Sequence, residues 1–162
     1  MKLKPRIERY YAIAYVLLVR TSKNGHFVLL RDDENFKISV TTSDGCVNEL
    51  INSKGLGKDV VLQWLYASDE GDRFAFSYSF AGSDEGISKV VETRSREVLD
   101  ELRGRIGDIT WFDKDKYFYG RFYAREKTPD GVAPPAVRIF LRENGKDEMV
   151  FGGGIPRSHF NS

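Results

Sequence analysis

Aromatic and arginine side chains alternate along two neighbouring segments in the last third of the chain. Both segments, 117–125 and 137–142, show the period of two that is typical of β-strands, so alternate side chains share a face. A loop rich in proline and glycine, residues 128–135, separates them. If the strands pair across this loop, one face of the hairpin carries Tyr119, Arg121, Tyr123, Arg125, Arg138, Phe140 and Arg142.

Flat rings interleaved with arginines are suited to binding a single-stranded nucleic acid. Bases stack on aromatic side chains, each worth about 1–3 kcal/mol, and guanidinium groups bind phosphates. The sequence therefore predicts that this face is exposed and binds single-stranded RNA or DNA, while Phe122 and Val137 face the core. Two other interpretations stay open, because the same side chains are typical of plain sheet surface and of protein–protein interfaces.

A second group of residues could bind a metal ion. The segment 96–101, Arg-Glu-Val-Leu-Asp-Glu, resembles the core of a Nudix box, in which acidic side chains hold magnesium against a diphosphate. The resemblance implies a magnesium-dependent nucleoside-diphosphate hydrolase with Glu97 and Glu101 as ligands on one helix face. Ser88 and Arg103 depart from the box, and a charged run of this kind is also typical of a solvated helix surface.

Other residues with catalytic potential are sparse. Cys46 is the single cysteine, so the chain has no Cys/His cluster with zinc-ligand spacing. The two histidines, His26 and His159, give no sign of a Ser/His/Asp set. Residues 55–58, Gly-Leu-Gly-Lys, lack the first glycine and the hydroxyl residue of a phosphate-binding loop. The sequence therefore predicts a non-enzymatic binding module without metal or cofactor.

Turn signals and hydrophobic periodicity predict an α+β fold, mainly an antiparallel sheet built from hairpins. Hairpins are expected over 7–31 and 59–80. One long amphipathic helix is expected at about 85–103, and a short helix at about 45–53 is a further option. The apolar stripe of the long helix would contain Ile87, Val90, Val91, Val98, Leu99 and Leu102.

The order of these elements bears on domain organisation. Two successive units of a hairpin followed by a helix, 7–53 and 59–103, hint at a duplication, although no fixed-period repeat is visible. The length of 162 residues predicts a single α+β domain over 1–152. Residues 153–162, which begin with glycines, are expected to form a flexible tail.

The formal net charge of +1 hides a segregation of charge along the chain. Residues 1–31 carry +6, residues 32–113 carry −8, residues 114–142 carry +4, and residues 143–162 carry −1. A uniform polycation is thereby excluded. The acidic middle leaves open an inhibitor that mimics nucleic acid, or docking to a protein partner or a second copy of the chain. The apolar run 10–19 is too short for a membrane helix, so we expect a cytoplasmic protein without membrane contact.

Overall fold

The computed structural model describes residues 14–33, 35–81, 83 and 85–152. These residues form twelve β-strands and one short 3₁₀ helix (Ser53–Gly55), with no α-helix among them. The strands make three antiparallel sheets of four. The first sheet contains β1 (Tyr15–Ser22), β2 (Gly25–Asp32), β3 (Asn35–Thr41) and β4 (Val47–Asn52). The second sheet contains β5 (Val60–Ala67), β6 (Arg73–Phe80), β7 (Ile87–Glu92) and β8 (Val98–Arg103). The third sheet contains β9 (Arg105–Asp113), β10 (Lys116–Tyr123), β11 (Ala136–Glu143) and β12 (Lys146–Phe151).

Each sheet is a meander, in which every strand pairs with the next one along the chain. Tight turns make this possible. Asn144 and Gly145, with φ angles of 50° and 73°, form a two-residue turn between β11 and β12. The hairpins predicted over 7–31 and 59–80 are confirmed as the pairs β1–β2 and β5–β6. Residues 7–13 of the first hairpin lie outside the described residues.

The first strands of the three sheets lie side by side, with β1 against β5 and β5 against β9. The second sheet lies between the other two, because one of its faces packs on the first sheet and the other on the third. In the described parts of the chain, the backbones of the last strands, β4, β8 and β12, approach the neighbouring sheets less closely. The three sheets therefore converge along their first strands and diverge toward their last.

Strand β6 contributes to two hydrophobic cores. Phe74 and Phe76 face the first sheet, where the Phe74 ring lies 5.7 Å from that of Phe27. Ala75, on the opposite face, is fully buried among the tyrosines of the third sheet. Ser77 follows on this second face and hydrogen bonds through its hydroxyl to the neighbouring strand. Small side chains on that face make room for the large rings of the third sheet.

The long helix predicted over 85–103 is wrong, because this segment forms strands β7 and β8. Lys89 pairs with Glu101, and the chain turns between the strands at Arg96, whose φ of 63° does not occur inside an α-helix. Most of the supposed helical stripe is valine and isoleucine, which favour strands. Because the segment is buried between two neighbouring sheets, it forms the strands β7 and β8 rather than a helix.

The short helix considered over 45–53 is also wrong. Most of that segment is strand β4, and the helical turn that follows it, Ser53–Gly55, is a single 3₁₀ turn. With neither helix present in the described residues, the predicted α+β class is corrected to an all-β arrangement.

A structural repeat is present that the sequence does not reveal. The first strands begin at residues 15, 60 and 105, a constant spacing of 45 residues. The expected duplicated units, 7–53 and 59–103, enclose the first and second sheets, but each unit is a four-stranded sheet rather than a hairpin with a helix. The structure therefore has a fixed period, although no fixed-period repeat is visible in the sequence.

All twelve strands lie within the range 1–152 that the sequence predicts as one domain, and the division into domains stays a prediction. The predicted tail, 153–162, lies outside the described residues. In the part of the chain that the structure describes, no helix is long and apolar enough to cross a membrane.

Candidate functional site

The hairpin of β10 and β11 carries six of the seven predicted binding residues, and Arg125 follows just after β10. The predicted pairing is confirmed, since Tyr119 pairs with Phe140 and Arg121 with Arg138. The predicted exposure of this face is wrong. The exposed fractions are 2% for Tyr119 and 6% for Phe140, and Arg138 is 5% exposed. The supposed binding surface is a core face.

This face is buried because the third sheet packs it against the second. The rings of Tyr119 and Phe140 stack with centroids 5.3 Å apart and join a cluster that includes Ala75. The residues expected in the core lie on the outer face instead, where Phe122 is 38% and Val137 54% exposed. Both faces of the hairpin are apolar enough to be buried, so alternation alone does not say which one is.

Arg138 is engaged within the third sheet. Its Nε and Nη2 donate to the two carboxylate oxygens of Asp130 at 3.1 and 3.0 Å. Asp130 lies in the proline- and glycine-rich loop, so this pair ties the loop to β11. The hydrogen bonds from Arg138, and then from Thr128, lower the pKa of Asp130 to about 2. Arg138 is therefore not available to bind a phosphate.

Arg142 joins the third sheet to the second. Its Nε and Nη2 donate to Asp100 on β8 at 2.7 and 2.9 Å, and its Nη1 donates to Asp147 at 3.0 Å. The Tyr117 hydroxyl donates to the same Asp100 carboxylate at 2.8 Å. Burial opposes the ionisation of Asp100, but the hydrogen bonds from Arg142 and Tyr117 outweigh it and lower the pKa of Asp100. Burial, and then the contact with Asp100, raises the pKa of Tyr117 far above its ordinary value.

Arg121 and Arg125 lie at the edge of this interface and keep some exposure. The Arg121 guanidinium lies 5.0 Å from the centre of the Tyr123 ring, and its Nη2 pairs with Glu126 at 2.8 Å. Contact of Arg121 and Arg125 with a partner stays a prediction. Beside them is a cavity of about 220 Å³, the arginine pocket, lined by Arg103, Arg105, Arg121 and Arg125. The first two of these arginines were missed as binding residues, because Arg103 was placed at the end of a predicted helix and Arg105 just beyond it.

The residues considered as metal ligands do not form a metal site. Glu97 lies exposed in the turn between β7 and β8. Glu101 lies on β8 and pairs with Arg103 at 2.7 Å and with Lys89 at 4.0 Å. Without a helix, their spacing of four residues no longer aligns them on a helix face. Among the described residues, no group of three or more His, Cys, Asp or Glu side chains could hold a metal ion.

A larger cleft, of about 750 Å³, lies along the converging first strands. Its lining includes Tyr15, Gln63, Trp64 and Arg105. Tyr15 is 42% and Trp64 48% exposed, which is unusual for such large rings. Sequence reasoning missed this cleft, because Trp64 belongs to an apolar segment that gave only the prediction of a hairpin over 59–80. The 45-residue spacing of the first strands, which accounts for the cleft, is visible only in the structure.

The two ends of the sheets differ in their connections. At one end the strands are joined by tight turns such as the one at residues 144–145. The other end carries the longest connections, over residues 53–59, 81–86 and 124–135, together with the short ones at 33–34 and 104. The arginine pocket and the larger cleft both open near these longer connections. Since binding residues concentrate on loops that a rigid scaffold positions, this end is the candidate functional face.

Four-stranded meanders that recur at a fixed spacing and converge on their first strands define a segment of a β-propeller, with each sheet as one blade. The chain belongs to the family described as the prolyl oligopeptidase N-terminal β-propeller domain. The match to this family covers residues 47–152, well over half of the chain. A search of curated protein sequences finds no match.

Three solved structures of similar fold come from enzymes described as prolyl or post-proline peptidases. One, from work on two prolyl endopeptidases and their inter-domain dynamics, has a TM-score of 0.75 at 19% identity, with 91% of this chain and 24% of that chain covered. A post-proline cleaving enzyme from Rickettsia typhi has a TM-score of 0.65 at 19% identity, with 93% and 26% covered. Prolyl oligopeptidase B from Galerina marginata, bound to a 35mer substrate, has a TM-score of 0.66 at 15% identity, with 93% and 25% covered. These likenesses show the fold, and the chain spans about a quarter of the length of each.

Family membership corrects the functional predictions. A nucleic-acid-binding module is wrong, because the chain belongs to a peptidase propeller family and its aromatic face is buried. The alternatives of an acidic nucleic-acid mimic, a separate docking protein and a Nudix-like hydrolase are also wrong, the last because its helix is replaced by strands. The same family membership overturns the predicted partners, which were single-stranded RNA or DNA, a protein partner or a homodimer.

Proposed function

We propose that this chain supplies three consecutive blades of the propeller that covers the catalytic domain of a prolyl-oligopeptidase-like peptidase. The observation that carries the proposal is the family match over 47–152 together with the three radially arranged sheets. Propellers usually contain about four to eight blades. The chain would therefore act together with further blades, as its coverage of about a quarter of its solved relatives supports.

The outer faces of the first and third sheets support this proposal. On the third sheet, Val137 and Phe151 are 54% and 60% exposed, next to Phe122. On the first sheet, Val16 and Val19 are 58% and 49% exposed. Their cross-strand partners point away from the second sheet, so both valines lie on the outer face. Exposed apolar faces of this kind usually mark contact surfaces. Here each one is the outer face of a sheet, where a neighbouring blade would pack.

The role we propose for these blades is to control the access of peptides to a catalytic domain that carries the reacting residues. The link from Arg142 to Asp100 supports a rigid arrangement of the second and third blades. The cleft with exposed Tyr15 and Trp64 lies along the innermost strands, where a peptide would pass. A cytoplasmic location is part of the proposal, and the single, exposed Cys46 thiol supports it.

A grafted enzyme tests the proposal. Residues 14–152 replace the corresponding three blades of the Rickettsia typhi enzyme, and the graft is compared with the parent and with a deletion variant that lacks these blades. The measurement is kcat/KM for a short fluorogenic peptide with proline and for a long unfolded polypeptide. We expect the parent and the graft to prefer the short substrate, and the deletion variant to lose this preference.

A matched control is a graft with Val137→Lys and Phe122→Lys, whose outer face should no longer pack against the next blade. It should resemble the deletion variant. An unmodified graft that is folded but selects substrates no better than the deletion variant would contradict the proposed role.

A further inference from the structure

The arginine pocket lies between the second and third sheets, where the chain passes from β8 to β9. Its volume is about 220 Å³. The charged side chains that line it are Arg103, Arg105, Arg121, Arg125, Glu85 and Glu126. Four guanidinium groups against the two lining carboxylates and Glu101, which pairs with Arg103 at 2.7 Å, leave the pocket with a net positive charge.

Arg121 is held in a fixed position in this pocket. Its guanidinium lies over the Tyr123 ring at 5.0 Å and donates through Nη2 to Glu126 at 2.8 Å. Its Nε is buried and has no hydrogen-bond acceptor. An arginine has five N–H donors, so Arg121 holds donor capacity that the protein leaves unused. A buried donor without an acceptor costs free energy, and an acceptor in the pocket would have to displace the atoms that shield Nε in order to reach it.

Glycine keeps the wall of the pocket bare beside Arg121. Gly104 has a φ of +107°, which side-chain-bearing residues rarely adopt. A β-carbon at this position would lie 3.4 Å from both Nε and Nη2 of Arg121. The Gly104 amide donates a hydrogen bond to the carbonyl oxygen of the adjacent Gly86 at 2.9 Å, which fixes the backbone at this point. A β-carbon at residue 104 would therefore lie in van der Waals contact with the guanidinium.

We propose that the arginine pocket binds a single oxyanion, namely the carboxylate of a peptide. Guanidinium groups form charge-assisted and often bidentate hydrogen bonds with carboxylates. Cavities for whole ligands usually measure about 300–1,000 Å³, so this smaller one fits a terminal group rather than a polymer. The charge and size of the pocket select a single oxyanion, and the choice of a peptide carboxylate rests on the proposed peptidase role.

Titration of the chain, followed by backbone amide NMR, tests this inference. The probes are acetyl-Ala-Ala with a free carboxylate, the same peptide as its C-terminal amide, and inorganic phosphate. We expect the free acid to shift the Gly104 and Ala124 amide signals saturably, and the amide to leave them unchanged. Equal shifts from acid and amide, or saturable shifts from phosphate alone, would overturn the assignment of a peptide carboxylate.

Variants locate the binding site. Arg103→Gln and Arg121→Gln should each weaken binding of the free acid by roughly tenfold, since hydrogen bonds to charged groups are the stronger ones. Arg103 is 76% exposed, so its variant should fold even if Arg121→Gln does not. Glu126→Gln releases Arg121 from its ion pair and should tighten binding. Arg94→Gln, at the opposite end of the sheets, is the matched control and should change nothing. Unaltered binding in Arg103→Gln would contradict the inference.

Discussion

Arg142 of the third sheet donates two hydrogen bonds to Asp100 of the second sheet, at 2.7 and 2.9 Å. The two side chains are only 13% and 19% exposed, and the Tyr117 hydroxyl donates to the same carboxylate. Because charge-assisted bidentate pairs have a defined geometry, this contact fixes how the second and third sheets face each other. The apolar rings around the pair contribute most of the surface buried between the two sheets, while the ion pair fixes the orientation of one sheet relative to the other.

Replacement of Asp100 by alanine should destabilise the chain clearly. Removing one partner of a buried pair usually costs about 3–5 kcal/mol, and the remaining partner Asp147 should reduce the loss to roughly 2–3 kcal/mol. Urea unfolding measures this free energy. The matched control is Glu143→Ala, which removes a half-exposed partner of Lys116 and should cost less than about 1 kcal/mol. Equal losses in the two variants would show that the pair does not join the sheets.

Stability should fall in acid between about pH 4 and about pH 2. The pKa of Asp130 is about 2 in the folded chain, whereas an unfolded aspartate has a pKa of about 3.9. Since the folded value is the lower one, the contribution of Asp130 is complete above about pH 4 and is lost as the pH falls toward 2. The lowered pKa of Asp100 acts in the same direction.

Urea midpoints measured across this acid range check the prediction. The Asp130→Asn variant should lose less stability on acidification than the unmodified chain, because it has one titrating group fewer. An identical decline in both proteins would argue against the pair of Asp130 and Arg138.

Two buried tyrosines should resist ionisation until the chain unfolds in alkali. Burial raises the pKa of Tyr117 and of Tyr119, and carboxylates raise both further, Asp100 for Tyr117 and Asp147 for Tyr119. An unfolded tyrosine has a pKa of about 10. Since the folded values are higher, the stability that these groups contribute is complete below about pH 10 and is lost as the pH rises further.

Absorbance of the phenolate form, recorded together with near-ultraviolet circular dichroism, measures this behaviour. The phenols of Tyr117 and Tyr119 should ionise only as the dichroism signal is lost. The Tyr117→Phe variant should show one phenol fewer in this final absorbance step. Reversible titration of all eight tyrosines in a chain that keeps its native dichroism would contradict the prediction.

Truncation of Phe140 should be costly, because its ring is a core ring. Phe140→Ala should lower the free energy of unfolding by about 3–5 kcal/mol. Phe112, which is 71% exposed on the same sheet, is the matched control, and Phe112→Ala should cost less than about 1 kcal/mol. Comparable losses would mean that Phe140 is a surface residue, as the sequence predicts.

Local patterns were sufficient to predict the strands of the third sheet that carry the candidate site. The pairing of Tyr119 with Phe140 follows from alternation on both sides of a turn-rich loop. The exposed face could not be predicted in the same way. A blade between two neighbours buries both faces, so it has no polar side that marks the solvent. One face carries tyrosine and arginine, and the other carries phenylalanine and valine. This difference in polarity is too small to show which face is exposed.

The helix predicted over 85–103 failed for a related reason. Val90, Val91 and Val98 fit a helical stripe, but they also fit two strands joined by a turn at Arg96. The partner that decides between them lies in another part of the chain: Asp100 meets Arg142, 42 residues away. The 45-residue repeat was equally hidden, because the three sheets share strand positions and not residues.

The central claim, that these sheets are three blades of a larger propeller, is tested most directly by the crystal structure of the grafted enzyme. The account predicts that β1, β5 and β9 line the centre of the ring and that the next blade covers Val137, which is 54% exposed here. A structure in which Val137 stays solvent-exposed, with the three sheets outside the ring, would contradict it.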